Sequence, residues 1–418
     1  MVNKTILDNG LRIVSEQIPH AHSVSIGIWV TSGSRHESAD MNGIAHFIEH
    51  LMFKGTGRRS ALDIAREIDA VGGVLNAFTG REYVCYYAKV LSTHLPKAID
   101  LLADIFLNSV FDVDEIEKER KVILQEIDML EDTPDDFIHD LFYQNFWKGH
   151  PLGRPIIGTE ESVASLTRDY LLSHRHESYS AENIIVAAAG NLDHDQLLQL
   201  VGDAFSVVPQ GRQAVPAPLP VHDRGLYRHE KELEQVHLCL GTCALPQNHG
   251  RRFEAYILNA VLGGSMSSRL FQEVREKQGL AYSIYSYLAS HSDSGSLAVY
   301  AGTSQEKVPQ VIEIILKEMR RLKSEPLTLS ELASAKDQLK GNILLSLESS
   351  DNRMSKLAKN EVYFGTYQPL EEIMRGFDRV TCESVLEMSR HLFVDDSLTL
   401  VLLGKTNTGN LSVADLKL

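Results

Sequence analysis

HSVSIGIWVTSG, residues 22–33, alternates apolar side chains with small or polar ones, and EQVHLCLGTCALP, residues 234–246, does so again. Alternation at period two is the pattern of a half-buried β-strand. The segments downstream of the two stretches also match. A short helical run comes next, GIAHFIEHLMFKG at 43–55 and EAYILNAVLGGSM at 254–266. An amphipathic helix ending at glycine comes third, ALDIAREIDAVGG at 61–73 and RLFQEVREKQG at 269–279. Glycine is a common helix stop. Two strands come after it in each half, VLNAFTG with EYVCYYAKVL and LAYSIYSYL with GSLAVYAGT. Each half then predicts two helices, near 94–109 and 114–131, and near 306–323 and 329–349. The order is the same and the offset nearly constant, which reads as an internal duplication.

Between the repeats lies SVVPQGRQAVPAPLPVHDRG, residues 206–225, with prolines at 209, 216, 218 and 220. Proline removes a donor and fixes φ, so this stretch is neither helix nor central strand. It divides the 418 residues near their midpoint, leaving two pieces of about 200 residues, an ordinary domain size. The expected organisation is a first domain over 1–210, a linker over 211–225 and a second domain over 226–418. Strands mixed with helix pairs, without strict alternation, predict an α+β fold. Each domain is expected to be a mainly antiparallel sheet with helices packed on one face.

Composition narrows the function classes. Hydrophobic residues make up 43% and charged residues 23%, the balance of a globular chain. Asp plus Glu is 56 against 41 Lys plus Arg, a net charge of −15. Nucleic-acid binders carry the opposite surplus. Basic peptides are the more natural charged partner, although solubility alone also accounts for the charge. The four cysteines, Cys85, Cys239, Cys243 and Cys382, are too few for a disulfide framework. Cys239 and Cys243 share a strand face without a second ligand pair nearby, so they read as core residues. The start, MVNKTILDNGLRIVSEQ, shows no basic segment leading into an apolar one. No apolar run approaches the roughly 20 residues that span a bilayer. The cytoplasm is the expected compartment.

The chemistry points to His46-Phe47-Ile48-Glu49-His50. On a helix, positions 46 and 50 lie one turn apart and present both imidazoles on one side, with Glu49 close by. Two histidines at this spacing form a zinc pair, and a neighbouring glutamate can serve as general base. The order is that of the inverted zincins. By itself the match is open to a blander reading, two buried histidines beside a capping glutamate. A zinc site also needs a third ligand and an open position. The helix DEIEKERKVILQEIDMLED offers Glu119 and Glu126, two turns apart on one face, with Val122, Ile123, Ile127 and Leu130 as its apolar stripe.

Taken with these, GGVLNAFTGREYVCYYAKVL at 72–91, ERKVILQEIDMLEDTPDD at 119–136 and SSRLFQEVREKQGLAYSIYS at 267–286 make the chain resemble a known family. It is similar to the M16 metallopeptidases, the pitrilysin and mitochondrial-processing-peptidase family, in their short two-domain form. The likeness runs in order along nearly the whole chain. It implies the processing-peptidase-like fold, Zn2+ as cofactor and hydrolysis of extended oligopeptides within an enclosed chamber. It also implies that His46, His50 and Glu126 hold the metal, that Glu49 is the general base and that Glu119 supports the site. Arg275 and Tyr282 match a substrate-holding pair in the second domain, and Asn76, Ala77, Phe78 and Thr79 match the edge strand on which a peptide lies. Strand addition reads backbone shape more than side chains, so broad selectivity is expected. The short members point to a homodimer. Some relatives are non-proteolytic structural or partner subunits, which is the alternative reading.

The second half lacks the metal pattern. Tyr256, Asn259 and Ala260 stand where His46, Glu49 and His50 stand in the first half, and Asn342 stands for Glu126. A copy that kept the fold and lost the metal would serve substrate instead. Other histidines carry less. His174 and His176, like His20 and His22, lack a carboxylate at helical spacing and read as surface or capping residues. Gly263 and Gly264 read as a turn, since no Lys with Ser or Thr comes after them as in a phosphate loop. The stretch EIDMLEDTPDDFIHD, 126–140, holds seven acids and no Lys or Arg. Thr133, Pro134, Asp135 and Asp136 fit a helix start, and the acids could also favour basic peptides.

Overall fold

The computed structural model describes residues 1–211, 218–407 and 411–418. Of the segment expected as a linker over 211–225, residues 212–217 lie outside the described residues. The duplication is visible in the topology. In the first sheet the strands are β1 (Val2–Ile6), β2 (Arg12–Gln17), β3 (Ser23–Val30), β4 (Val74–Thr79), β5 (Val84–Leu91) and β6 (Ile184–Gly190). Their order is β1-β2-β6-β3-β5-β4, antiparallel throughout except between β2 and β6. The second sheet holds β7 (Gly225–Glu230), β8 (Val236–Ala244), β9 (Ala281–Ser290), β10 (Gly295–Thr303) and β11 (Thr399–Gly404). Its order, β7-β11-β8-β10-β9, repeats the first without a counterpart of β1, and again one pair, β7 with β11, is parallel. The expected α+β class with mainly antiparallel sheets holds.

Alternation sends every second side chain into a helix-covered core. Val24, Ile26, Ile28 and Val30 of β3 meet Phe47 and Ile48 of the helix Ile44–Met52 and Leu102 and Phe106 of the helix Leu95–Asn108. Leu238 and Leu240 of β8 join Ile315 and Met319 of the helix Val308–Ser324 in the same way.

The other faces are covered as well, and by exchanged helices. One compact unit consists of Met1–Met129, Arg154–Pro218 and Leu345–Tyr367. The other consists of Leu130–Gly153, Leu219–Leu344 and Gln368–Leu418. The helix Ser350–Phe364 therefore comes from the second half of the chain and lies on the first sheet. Its Met354, Leu357 and Ala358 pack on Trp29, Cys85 and Ile185. Ser25 donates to Asp351 at 2.6 Å, and Lys89 reaches the same carboxylate at 2.7 Å. In return the helix Pro134–Phe146 of the first half lies on the second sheet, with Ile138, Phe142 and Phe146 against Cys239, Tyr300 and Val401. His139 of that helix bonds Tyr287 and Tyr285 at 2.8 and 2.9 Å.

This corrects the reading of HSVSIGIWV as half-buried, since β3 is buried on both faces beyond its first residue. Small residues on the second face make room for the helix. A Cβ on Gly27 would lie 2.9 Å from Met354 Sδ, and in the other unit one on Gly241 would lie 2.4 Å from Phe142 Cζ. Of the two cysteines expected in the core, Cys239 is buried there and Cys243 is partly buried against the same cluster, and all four cysteines are free. Among the described residues, no helix is long and apolar enough to cross a membrane.

Candidate metal centre

The helix Ile44–Met52 buries Ile44, Ala45, Phe47, Ile48, Leu51 and Met52, leaving His46, Glu49 and His50 half-buried on its other side. The imidazole centroids are 4.7 Å apart. Against this side runs the helix Val113–Glu131. Its buried stripe is Ile116, Glu119, Ile123 and Ile127, whereas Val122, expected in that stripe, is 38% exposed. A carboxylate thus occupies a core-facing position and is fixed there by partners. Glu119 Oε2 lies 3.0 Å from His50 Nδ1, and its Oε1 pairs with Lys54 Nζ at 2.7 Å.

Two turns on, Glu126 completes a three-residue cluster. Its Oε2 is 3.8 Å from His46 Nε2 and 3.6 Å from His50 Nε2. A tetrahedral zinc ion with ligand bonds of about 2.0–2.1 Å separates its ligand atoms by about 3.4 Å. Two imidazole nitrogens and a carboxylate oxygen at these distances fit that ion. Among the described residues this is the one group of three or more His, Cys, Asp or Glu side chains placed to hold a metal. Burial, reinforced by His50, pushes the His46 pKa down to about 3, so its lone pair is free at neutral pH. Its Nδ1 is buried and has no hydrogen-bond partner among the described residues.

Glu49 is one residue before His50 and receives the hydroxyl hydrogen of Thr79. Burial raises its carboxyl above the ordinary value, and the Thr79 bond opposes that rise. A carboxylate raised in this way is a better proton acceptor than an ordinary one. Thr79 is the last residue of β4, the free edge of the first sheet. Asn76 and Phe78 lie on that edge strand, and the Ala77 N–H donates to the Asn76 side chain at 2.8 Å rather than to a neighbouring strand. Phe78 packs edge-on against Trp29 at 5.4 Å.

Arg275 and Tyr282 are brought together within the second unit. The guanidinium carbon lies 4.7 Å from the centroid of the Tyr282 ring and 4.8 Å from that of Phe271. Tyr282 is 77% exposed on β9, the edge of the second sheet. A cleft of about 430 Å³ lined by Gly263, Met266, Arg275 and Tyr285 lies beside them. The segment 269–279, expected as an amphipathic α-helix, winds instead into a π-helical turn over Phe271–Glu276. Such turns recur at functional sites. Tyr256, Asn259 and Ala260 occupy the helix Arg252–Leu262, and Asn342 the helix Leu329–Ser346. No metal-capable cluster forms there among the described residues.

Sequence reasoning did not find Lys54, nor the bond from Thr79 to Glu49. Lys54 lies one helical turn beyond His50, a spacing that could have signalled a shared partner. The Thr79 contact joins a strand to a helix 30 positions away and has no local signal.

Known proteins resemble this chain in sequence and in fold. The sequence pattern of Insulinase (Peptidase family M16) matches residues 12–160, and that of the Peptidase M16 inactive domain matches 165–339. An uncharacterized zinc protease of Bacillus subtilis is 44% identical over 396 residues, covering 95% of this chain and 97% of that one. One from Mycobacterium tuberculosis is 44% identical over 395 residues, covering 93% and 90%. A peptidase M16 inactive domain structure from Pseudomonas fluorescens superposes with a TM-score of 0.92 at 19% identity, covering 99% of this chain and 100% of that one. A Helicobacter pylori protease gives 0.91 at 24%, covering 97% and 99%. At such identities these two structures speak for the fold alone. Patterns matching both halves, and relatives alike over nearly the full length, establish that the chain belongs to peptidase family M16.

Proposed function

We propose that the chain is a zinc-dependent endopeptidase acting on extended oligopeptides. The observation that carries this reading is the convergence of His46, His50 and Glu126 beside Glu49. His46 and His50 would hold the ion through Nε2 and Glu126 through a carboxylate oxygen. A bound zinc ion supplies Lewis acidity, acidifying water and polarising a peptide carbonyl. Glu119 accepts the His50 Nδ1 proton, which fixes the tautomer and turns Nε2 toward the cluster. Glu49 takes a proton from the attacking water and delivers it to the leaving amine. Thr79 aims that carboxylate.

A substrate backbone adds to the edge of β4 and replaces the Asn76 amide on the Ala77 N–H. Arg275 and Tyr282 are assigned to holding substrate and stabilising oxyanion charge, on the family resemblance and on their mutual stacking. The enclosed chamber implied by the resemblance predicts that unfolded peptides are cut and folded proteins are spared. Four free cysteines fit a reducing cytoplasm, and the short members of the family favour a homodimer.

Glu49→Gln tests the assignment. The variant is expected to retain zinc, measured by elemental analysis, and to lose hydrolysis of a diverse peptide library. Wild-type protein carrying a full complement of zinc but cutting no member of that library would restore the structural-subunit reading.

A further inference from the structure

We infer that the loop Gly33–Glu37 is a bracket between the edge strand and the metal-motif helix, and that Glu37 is a positioning residue of the metal centre. The inference rests on the metal reading above. Glu37 is only 4% exposed and touches none of the assigned ligands. Its Oε2 accepts the Gly43 N–H at 2.8 Å and an Asn42 Nδ2 hydrogen at 3.0 Å, and its Oε1 accepts the Ala45 N–H at 3.0 Å. These main-chain donors belong to the start of the helix Ile44–Met52, where no intrahelical acceptor exists for them. Ala45 immediately precedes His46, so the carboxylate grips the helix next to its first candidate ligand.

Glu37 is itself held. Arg154 Nη1 donates to its carbonyl at 2.7 Å, and Asn42 also donates to the Pro155 carbonyl at 2.9 Å. A carboxylate suits the site because the helix start is electropositive and presents donors only. Glutamine would turn one N–H group against another.

The same loop grips the hairpin after β4. Ser34 N–H donates to the Gly80 carbonyl at 3.2 Å and Arg35 N–H to the Arg81 carbonyl at 2.9 Å. Arg35 and Glu82 form a buried pair at 2.6 Å. A Cβ on Gly33 would lie 2.3 Å from the Gly80 oxygen, so the two chains touch through bare backbone. That hairpin begins directly after Thr79, the partner of Glu49. Two residues, Arg35 and Glu37, thus tie both sides of the candidate site to one short segment.

Cobalt substitution tests the bracket without relying on turnover. Full-length Glu37→Gln and Glu37→Ala are titrated with Co(II), reading affinity and the visible absorption band. Residues that orient ligands typically change metal affinity by about 10–100-fold, so a loss of at least about tenfold with an altered band is expected. Asp104→Asn is the control. It breaks the Arg58 and Arg59 ion pairs of the same unit, so it is expected to lower the melting temperature and leave the cobalt band unchanged. Wild-type affinity and band in both Glu37 variants overturn the inference, as does an equal loss in Asp104→Asn. Should the Glu37 variants not fold, Asn42→Ala removes one of the three donors and is read the same way. Glu82→Gln, on the hairpin side, is expected to raise KM for peptides with cobalt affinity unchanged. Wild-type protein that binds cobalt no better than His50→Ala overturns the metal reading itself, a result distinct from failure of the bracket.

Discussion

At neutral pH the His46 imidazole is uncharged because burial holds its pKa near 3, and His50 is turned by a carboxylate rather than by the main chain. On the proposed zinc reading, Glu119 acts on metal affinity through His50 without touching the ion. Glu119→Gln is expected to weaken zinc binding by about 10–100-fold, measured by competition with a chromophoric chelator. Affinity equal to wild type would remove Glu119 from the site. Glu37 also gives the fold a pH dependence of its own. Burial moves its carboxyl from an ordinary 4.5 up to about 7, against its hydrogen bonds. A folded pKa raised in this way contributes stability that is complete below 4.5 and is lost as pH rises through about 7. Glu37→Gln is expected to flatten that part of the curve of urea midpoints against pH, and an unchanged slope would assign it to other groups. The candidate triad was legible because helical periodicity brings His46 to His50 and puts Glu119 and Glu126 on one face, and the family resemblance then singles out Glu126. Thr79, Lys54 and Glu37 were not, since each acts on a partner through tertiary packing, which leaves no period in the sequence.

At the level of elements, the helix Ser350–Phe364 was not among those read from the sequence, and neither was its destination. A signal did exist. Gly27 and Gly241 each lie on the helix-covered second face of a central strand, where glycine marks close approach of another chain segment. The structure supplies that segment in both units, Met354 over Gly27 and Phe142 over Gly241. Gly27→Ala and Gly241→Ala are each expected to cost about 1–3 kcal/mol by overpacking, measured from denaturant midpoints. A neutral result would mean the exchanged helices sit loosely. The edge strand makes a separate prediction. Ala77→Pro removes the donor now bonded to Asn76, and proline is tolerated on an open edge. It is expected to raise KM for peptides with little change in melting temperature, and an unchanged KM would place the substrate elsewhere.

The whole molecule pairs one metal-capable copy with one that carries none among the described residues, so zinc is expected at one ion per chain. Two ions per chain by elemental analysis would contradict that count. The net charge of −15 predicts that cleavage of basic peptides falls with added salt more than cleavage of neutral ones. Asp135 and Asp136 are exposed at the start of the helix Pro134–Phe146. Asp135→Lys is expected to weaken cleavage of Arg-rich peptides selectively, and equal losses on acidic and basic peptides would leave these acids as helix-start residues only. The matching succession of strands and helices in the two halves was readable from the repeat, because alternation and spacing are local properties. The exchange of helices was not, because it depends on where residues far apart in sequence come to rest. It has a consequence during synthesis. When residue 211 leaves the ribosome, the face of the first sheet bearing Trp29 and Ile185 has no cover until Ser350–Phe364 is made. At about 5–20 residues per second, that interval lasts roughly 7–30 s. The nascent first half therefore spends that interval with an apolar face uncovered, a state prone to association, and it cannot finish folding before the second half has emerged.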